Sequence, residues 1–108
     1  MSNETKDAGE SALEEDVAVC DDGYALRIRV LNDQGLHARP AAKLAQEAQK
    51  FGCDITMALG GEVVDAKSIL DILTLAAGHG SELELRATGP DARDALLHLG
   101  SLIRNRFR

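Results

Sequence analysis

Tryptophan is absent from this 108-residue chain, and aromatic residues make up only 3% of it. Its core therefore has to be aliphatic, built from Leu, Ile, Val and Ala. No basic cluster with interleaved aromatics occurs, which argues against a nucleic-acid partner. The two cysteines form no Cys-x-x-Cys and stand near no His group. They supply neither a disulfide framework nor a structural zinc site, so no metal and no cofactor are expected. No stretch approaches about 18 uninterrupted apolar residues, so no membrane span is expected. The opening MSNETKDAGE is polar and acidic, unlike an export signal. The expected location is the cytoplasm, where thiols stay reduced.

What is present fits one modest globular domain. Hydrophobic residues make up 44% of the chain and charged residues 28%. The net charge of −6 is unevenly placed: residues 1–22 hold eight acids against one lysine, and residues 23–108 hold ten acids against eleven bases. The only boundary falls near residue 22. Residues 1–22 read as a mostly disordered acidic extension that adds little stability, with at most a short weak helix over Ser11–Val19. Residues 23–108 read as the folded domain.

Periodicity assigns the elements. Tyr24, Leu26, Ile28 and Val30 alternate with Arg27 and Arg29, giving a half-buried strand over 24–31. Asn32-Asp33-Gln34-Gly35 is a loop. Ala41, Leu44, Ala45, Ala48 and Phe51 form one stripe of a helix over about 38–51, with Lys43, Glu47 and Lys50 outside it. Pro40 is compatible with that helix only in its first turn, which places the start close to His37. A strand over 53–59, a Gly60-Gly61 hairpin turn and a strand over 62–65 follow. Cys53 reads as a small buried hydrophobe. Ile69, Ile72, Leu73 and Ala76 mark a second helix, with Ser68 as its cap and Asp71 completing a capping-box pattern. Residues 77–80 end that helix, and residues 82–88 form a further strand. Gly89-Pro90-Asp91 opens a third helix with Pro90 at its first position. Its stripe is Ala92, Ala95, Leu96, Leu99, Leu102 and Ile103. Arg104, Arg106 and Arg108 complement the helix dipole, and Phe107 either folds back on the core or frays. The order β-α-β-β-α-β-α implies an α+β fold of two layers, one sheet with every helix on one face and the other face wet.

Chemistry is concentrated in Gly35-Leu36-His37-Ala38-Arg39-Pro40-Ala41. His37 stands at a loop-to-helix junction, where free backbone N–H groups bind anions. A neutral imidazole is a nucleophile, and the Arg39 guanidinium can grip phosphate. With the Ala38 and Arg39 amides, these parts suit a phosphoryl-accepting histidine. The plainer reading is an exposed capping residue beside a solubilising arginine. Ser68 is either a simple cap or a cap that also takes phosphate, with Lys67 aiding recognition and Ile69, Leu70 and Leu73 as an apolar docking rim. His79 reads as a loop residue and His98 as a surface residue. No Walker lysine, Gly-x-Gly-x-x-Gly, Ser-His-Asp set or carboxylate pair supports a self-contained active site.

The His37 segment resembles the phosphorylation-site signature of the histidine-containing phosphocarrier (HPr) family of the sugar phosphotransferase system. Asp65-Ala66-Lys67-Ser68-Ile69-Leu70 resembles that family's serine-site region, and Ala87-Thr88-Gly89-Pro90-Asp91 its entry to the last helix. The likeness spans about residues 23–105. It implies an open-faced β-sandwich, a four-stranded antiparallel sheet under three helices. It further implies that His37 takes phosphoryl on Nδ1 from phosphorylated enzyme I and passes it to an enzyme IIA-type domain. Arg39 then assists transfer, and Ser68 is the target of an HPr kinase/phosphorylase. A monomer is expected. Two other readings stay open: a regulatory adaptor controlled through Ser68, and a carrier of the nitrogen-related branch, which shares the His-Ala-Arg-Pro core.

Overall fold

The computed structural model describes residues 13–107. Among the described residues the elements are β1 (Ala18–Cys20), β2 (Gly23–Arg29), α1 (Ala38–Ala48), β3 (Asp54–Leu59), β4 (Glu62–Asp65), α2 (Ile69–Leu75), β5 (Glu82–Thr88) and α3 (Ala92–Arg104). The strands form one sheet in the order β1-β2-β5-β3-β4. Every neighbouring pair is antiparallel. Leu26 stands opposite Leu85, and Met57 opposite Leu85 on its other side. The central strand β5 thereby carries one aliphatic row across the sheet.

That row is the floor of the core. Leu26, Ile28, Ile55, Met57, Leu83 and Leu85 are buried beneath Ala41, Leu44, Ala45 and Ala48 of α1 and Ala95, Leu96, Leu99 and Ile103 of α3. Arg27, Arg29 and Arg86 stand exposed on the opposite face, as the period of two requires. The hairpin between β3 and β4 turns on Gly60 and Gly61, with φ of 58° and 90°. Two successive left-handed residues match the right-handed twist of the paired strands.

The sheet has five strands, not four, because the acidic N-terminal segment is part of the fold from Leu13 onward. Leu13 is 0% exposed. It is accommodated because α3 carries Gly100 at that point: a Cβ there would stand 2.6 Å from Leu26 Cδ2 and 3.1 Å from Leu13 Cδ1. The chain then turns, with the N–H groups of Asp16 and Val17 donating to the Leu13 carbonyl at 2.8 and 3.2 Å. The short helix expected up to Val19 therefore gives way to strand β1. An Asp21-Asp22 turn returns the chain to β2, and the Asp16 carboxylate lies 3.4 Å from Arg104 Nη2. The acids Glu14, Glu15, Asp16, Asp21 and Asp22 all stay exposed, so high charge and a buried anchor coexist in one segment. Buried Leu13 and strand β1 thus stand ahead of the boundary expected at residue 22, and the expected disorder of residues 1–12 falls outside the described residues.

Two helix details also differ from expectation. Pro90 precedes the third helix, and Asp91 is its N-cap without a side-chain capping bond. The Asp91 carboxylate is engaged elsewhere, accepting the N–H groups of Gly52 and Cys53 at 2.9 Å each. Those bonds hold its pKa below the ordinary value. Burial, aided by Asp91, pushes the Cys53 thiol up to about 11, so Cys53 stays a protonated core residue. In α2 only Ile72 and Leu75 are buried. Ile69 and Leu73, read both as helix-stripe positions and with Leu70 as an apolar rim, are 40% and 36% exposed, and Leu70 is 75% exposed. Two turns at the edge of the layer leave most of that helix facing outward.

Replacing Leu13 by Ala should lower stability by roughly 2–5 kcal/mol, the range for a buried leucine. Urea denaturation should show a lower midpoint at an unchanged slope. A midpoint equal to that of the parent chain would mean that the N-terminal segment does not pack.

Candidate functional site

The loop before α1 is held by backbone contacts. Gly35 has φ +67°, and a Cβ there would stand 2.3 Å from the Ala77 carbonyl oxygen. No side chain fits that approach. Gly35 N–H donates to the Asn32 carbonyl at 3.0 Å, and Leu36 N–H donates to the Ala77 carbonyl at 2.9 Å. Leu36 itself is buried. The loop after α2, which leaves its helix through Ala76 at φ 53°, therefore grips the two residues before His37.

His37 follows as the N-cap of α1, in extended conformation and with no side-chain capping bond. His37, Ala38 and Arg39 are exposed, whereas Pro40 is buried. The helical ladder begins with Ala41 N–H donating to the His37 carbonyl at 3.0 Å. Pro40 has no N–H, so the amides of Ala38 and Arg39 are the donors left ahead of the ladder. No acidic residue stands in the first turn, and the positive helix end is not neutralised locally. Among the described residues Arg39 enters no ion pair. An exposed imidazole, two free amides and an unpaired guanidinium thus share one helix mouth. That arrangement suits nitrogen attack on an electrophile bearing negative oxygens.

Beside this mouth lies an open depression lined by Asn32, His37, Ala38, Arg39, Pro40, Lys43, Arg106 and Phe107. The last two residues come from the C-terminal end. Beyond α3 the chain reverses through Arg106 and Phe107, at φ 57° and 63°, and Phe107 N–H donates to the Leu102 carbonyl at 2.8 Å. Phe107 packs partly buried against the core, which decides between folding back and fraying. Arg106, read from the sequence as a partner of the helix dipole, instead borders the histidine. Two non-glycine residues with positive φ create this return, and no local pattern announces it.

Ser68 is the N-cap of α2, with its Oγ accepting Asp71 N–H at 3.2 Å. The Asp71 carboxylate accepts Asp65 N–H rather than the Ser68 N–H that a reciprocal capping box would use. Ser68 does not share the depression with His37; it stands at the opposite end of α2 from the loop that grips Gly35 and Leu36. Lys67 is tied down, its Nζ donating to the Phe51 carbonyl at 2.8 Å while its own carbonyl accepts from Gln49 Nε2 at 2.8 Å. It joins α1 to α2 rather than standing free for recognition. His79 is exposed in its loop.

His98 does more than the surface role expected of it. Its Nε2 lies 2.7 Å from Glu47 Oε1, and its ring centroid is 5.7 Å from that of Phe51. Glu47, expected outside the apolar stripe of α1, is only 7% exposed. Lys50 and Lys43 reach its other oxygen at 3.0 and 3.5 Å. The hydrogen bond from His98, then that from Lys50, outweigh burial and bring the Glu47 carboxyl down to about 2. The cluster clasps α1 to α3, the two helices whose ends border the depression. Charge spacing along α1 was visible in the sequence, but the reach of His98 across from α3 was not.

Among the described residues, no three His, Cys, Asp or Glu side chains gather as a metal site. No helix there is long and apolar enough to cross a membrane.

Residues 25–105 match the family described as PTS HPr component phosphorylation site. Phosphocarrier protein HPr of Cupriavidus necator is 47% identical over 78 residues, covering 72% of this chain and 88% of that protein. Its counterpart in Treponema pallidum is 46% identical, over 74% of this chain and 91% of that protein. The crystal structure of HPr from Thermoanaerobacter tengcongensis superposes with a TM-score of 0.75 at 38% identity, covering 77% of this chain and 93% of that one.

The Glu47 clasp makes a pH prediction. A carboxyl with a lowered folded pKa stabilises the fold above its unfolded value, and loses that contribution as pH falls through the folded value. The stability advantage of the parent chain over Glu47→Gln should therefore shrink between about pH 4.5 and 2, as read by urea unfolding at stepped pH. An advantage that stays constant through that window would show that the carboxylate is not held by its partners.

Proposed function

This chain belongs to the HPr phosphocarrier family, and from that premise we propose that His37 is its phosphoryl acceptor and Arg39 its phosphate-binding side chain. Members of this family shuttle phosphoryl groups between enzyme I and enzyme IIA-type domains, as carriers and not as catalysts, and this chain does the same. One observation carries the assignment to residues: an exposed, uncapped His37 at a helix mouth whose Ala38 and Arg39 amides precede the first helical bond.

The chemistry follows from that arrangement. The Nδ1 lone pair of neutral His37 attacks phosphorus in line with the donor. The new nitrogen–phosphorus bond forms as the bond to the donor atom of enzyme I breaks, and its electron pair stays with the donor. Charge on the phosphoryl oxygens is met by the two amides and the Arg39 fork, which need no reorganisation at that moment. Transfer to a His or Cys of the IIA-type domain runs the same step with His37 as the leaving group. The finer assignments belong to the same proposal: action in the cytoplasm as a monomer, and an HPr kinase/phosphorylase as a further partner.

A second reading concerns Ser68. Its hydroxyl is only partly buried, and Ile69, Leu70 and Leu73 beside it are exposed. An apolar rim next to an accessible hydroxyl suits docking of a kinase or a transfer partner. Phosphate there adds charge beside the docking face while the start of α2 tolerates it.

Incubation with phosphoenolpyruvate and enzyme I should give an acid-labile adduct of one phosphoryl group by mass spectrometry, and His37→Ala should abolish it. An adduct that persists in His37→Ala would end the assignment. Ser68→Asp should slow transfer while leaving thermal stability intact, because the new charge repels an acidic partner but suits a helix start. Equal transfer rates for parent and variant would contradict the serine reading.

A further inference from the structure

We propose that Arg106, delivered by the reversed C-terminal turn, is a second phosphate-binding residue of the His37 site. This rests on the reading of His37 as acceptor and adds a contact that the motif itself does not contain.

The argument starts from charge. His37, Arg39, Lys43 and Arg106 line one depression, and among the described residues no acidic side chain lines it with them. Lys43 is partly neutralised by Glu47 at 3.5 Å. Among the described residues, Arg39 and Arg106 have no ion-pair partner. The positive end of α1 opens onto the same space without an acid in its first turn. The whole chain carries a net charge of −6, so this local cationic enclosure runs against its overall balance. Bringing like charges to one hollow is unfavourable until an anion lies between them. A phosphoryl group on His37 is such an anion, with oxygens enough for two amides and two guanidinium forks.

The position of Arg106 is built into the fold. Arg104, two residues earlier, meets the Asp16 carboxylate at 3.4 Å. Asn105 closes α3 as its C-cap. Arg106 and Phe107 then adopt positive φ, which non-glycine residues adopt at a cost. Phe107 repays that cost with its backbone bond to Leu102 and its packing on the core. The result presents Arg106 at the depression rather than along the helix axis. Its role is to bind the phosphoryl oxygens in the phosphorylated chain and during transfer, while His37 makes and breaks the bond to phosphorus.

The test compares the full-length parent chain with Arg106→Ala and Arg106→Lys. Inorganic phosphate is titrated into the unphosphorylated proteins while the Ala38 and Arg39 amides are followed by NMR. Phosphoryl transfer from enzyme I is measured alongside. Arg106→Ala should weaken phosphate affinity and slow transfer, each by about tenfold, the scale of one charge-assisted hydrogen bond. Arg106→Lys should recover much of both. A parent chain that binds no phosphate, or equal phosphate affinity in parent and Arg106→Ala, overturns the proposal whatever the transfer rate does. A parent chain whose His37 takes no phosphoryl group overturns instead the reading on which it rests, and the phosphate titration still judges Arg106.

Discussion

A single backbone contact organises the site: the Leu36 amide donating to the Ala77 carbonyl at 2.9 Å. It draws the loop before α1 against the loop after α2, so closely that only glycine fits at position 35. With Leu36 buried as an anchor, the next residue, His37, emerges at the surface where the helix begins. Pro40 then fixes the first turn and removes one donor, leaving two amides for an anion. The imidazole reaches solvent in a short exposed stretch, His37 to Arg39, held between buried Leu36 and buried Pro40.

The fold serves that placement through its helix layer. α1 carries the histidine at its start and Glu47 near its end, and α3 answers with His98 in its middle and Phe107 beyond its end. The Glu47–His98 contact joins the two helices, and the packing of Phe107 on the core holds the chain beyond α3. Motion of one helix against the other would change the depression, so these contacts bear on function without touching phosphate. The carboxylate of Asp91 performs a similar service at the other end of α3, fixing Gly52 and Cys53 ahead of β3.

Most of this architecture was legible as period and punctuation. Alternation in 24–30 and 82–88 gave the central strands, Gly60-Gly61 the hairpin, and Pro40 the start of the first helix. His37, Ala38 and Arg39 stood out because free helical amides, a nucleophile and a cation fell within three residues. What escaped was long-range. Leu13 looks like an isolated apolar residue in an acidic tract, and only the space left by Gly100, 87 positions away by number, explains why it is buried. Glu47 looks like a surface partner for two lysines until His98 is brought across from another helix. Arg106 looks like a helix-end charge until two left-handed residues bring it to the depression that His37 also lines. The α2 stripe alone left both sides open, since a two-turn helix at a layer edge buries too few positions, and the exposure of Ile69, Leu70 and Leu73 favours the apolar rim over the core-facing stripe.

The central claim is that the amides of Ala38 and Arg39 hold the charge of a phosphoryl group on His37. It is tested most directly by recording amide NMR spectra of the chain before and after phosphorylation by enzyme I. Charge-assisted hydrogen bonds to phosphoryl oxygens should move the Ala38 and Arg39 amide protons far downfield, while amides of the open sheet face stay in place. A chain phosphorylated on His37 whose Ala38 and Arg39 amides do not move would contradict the account.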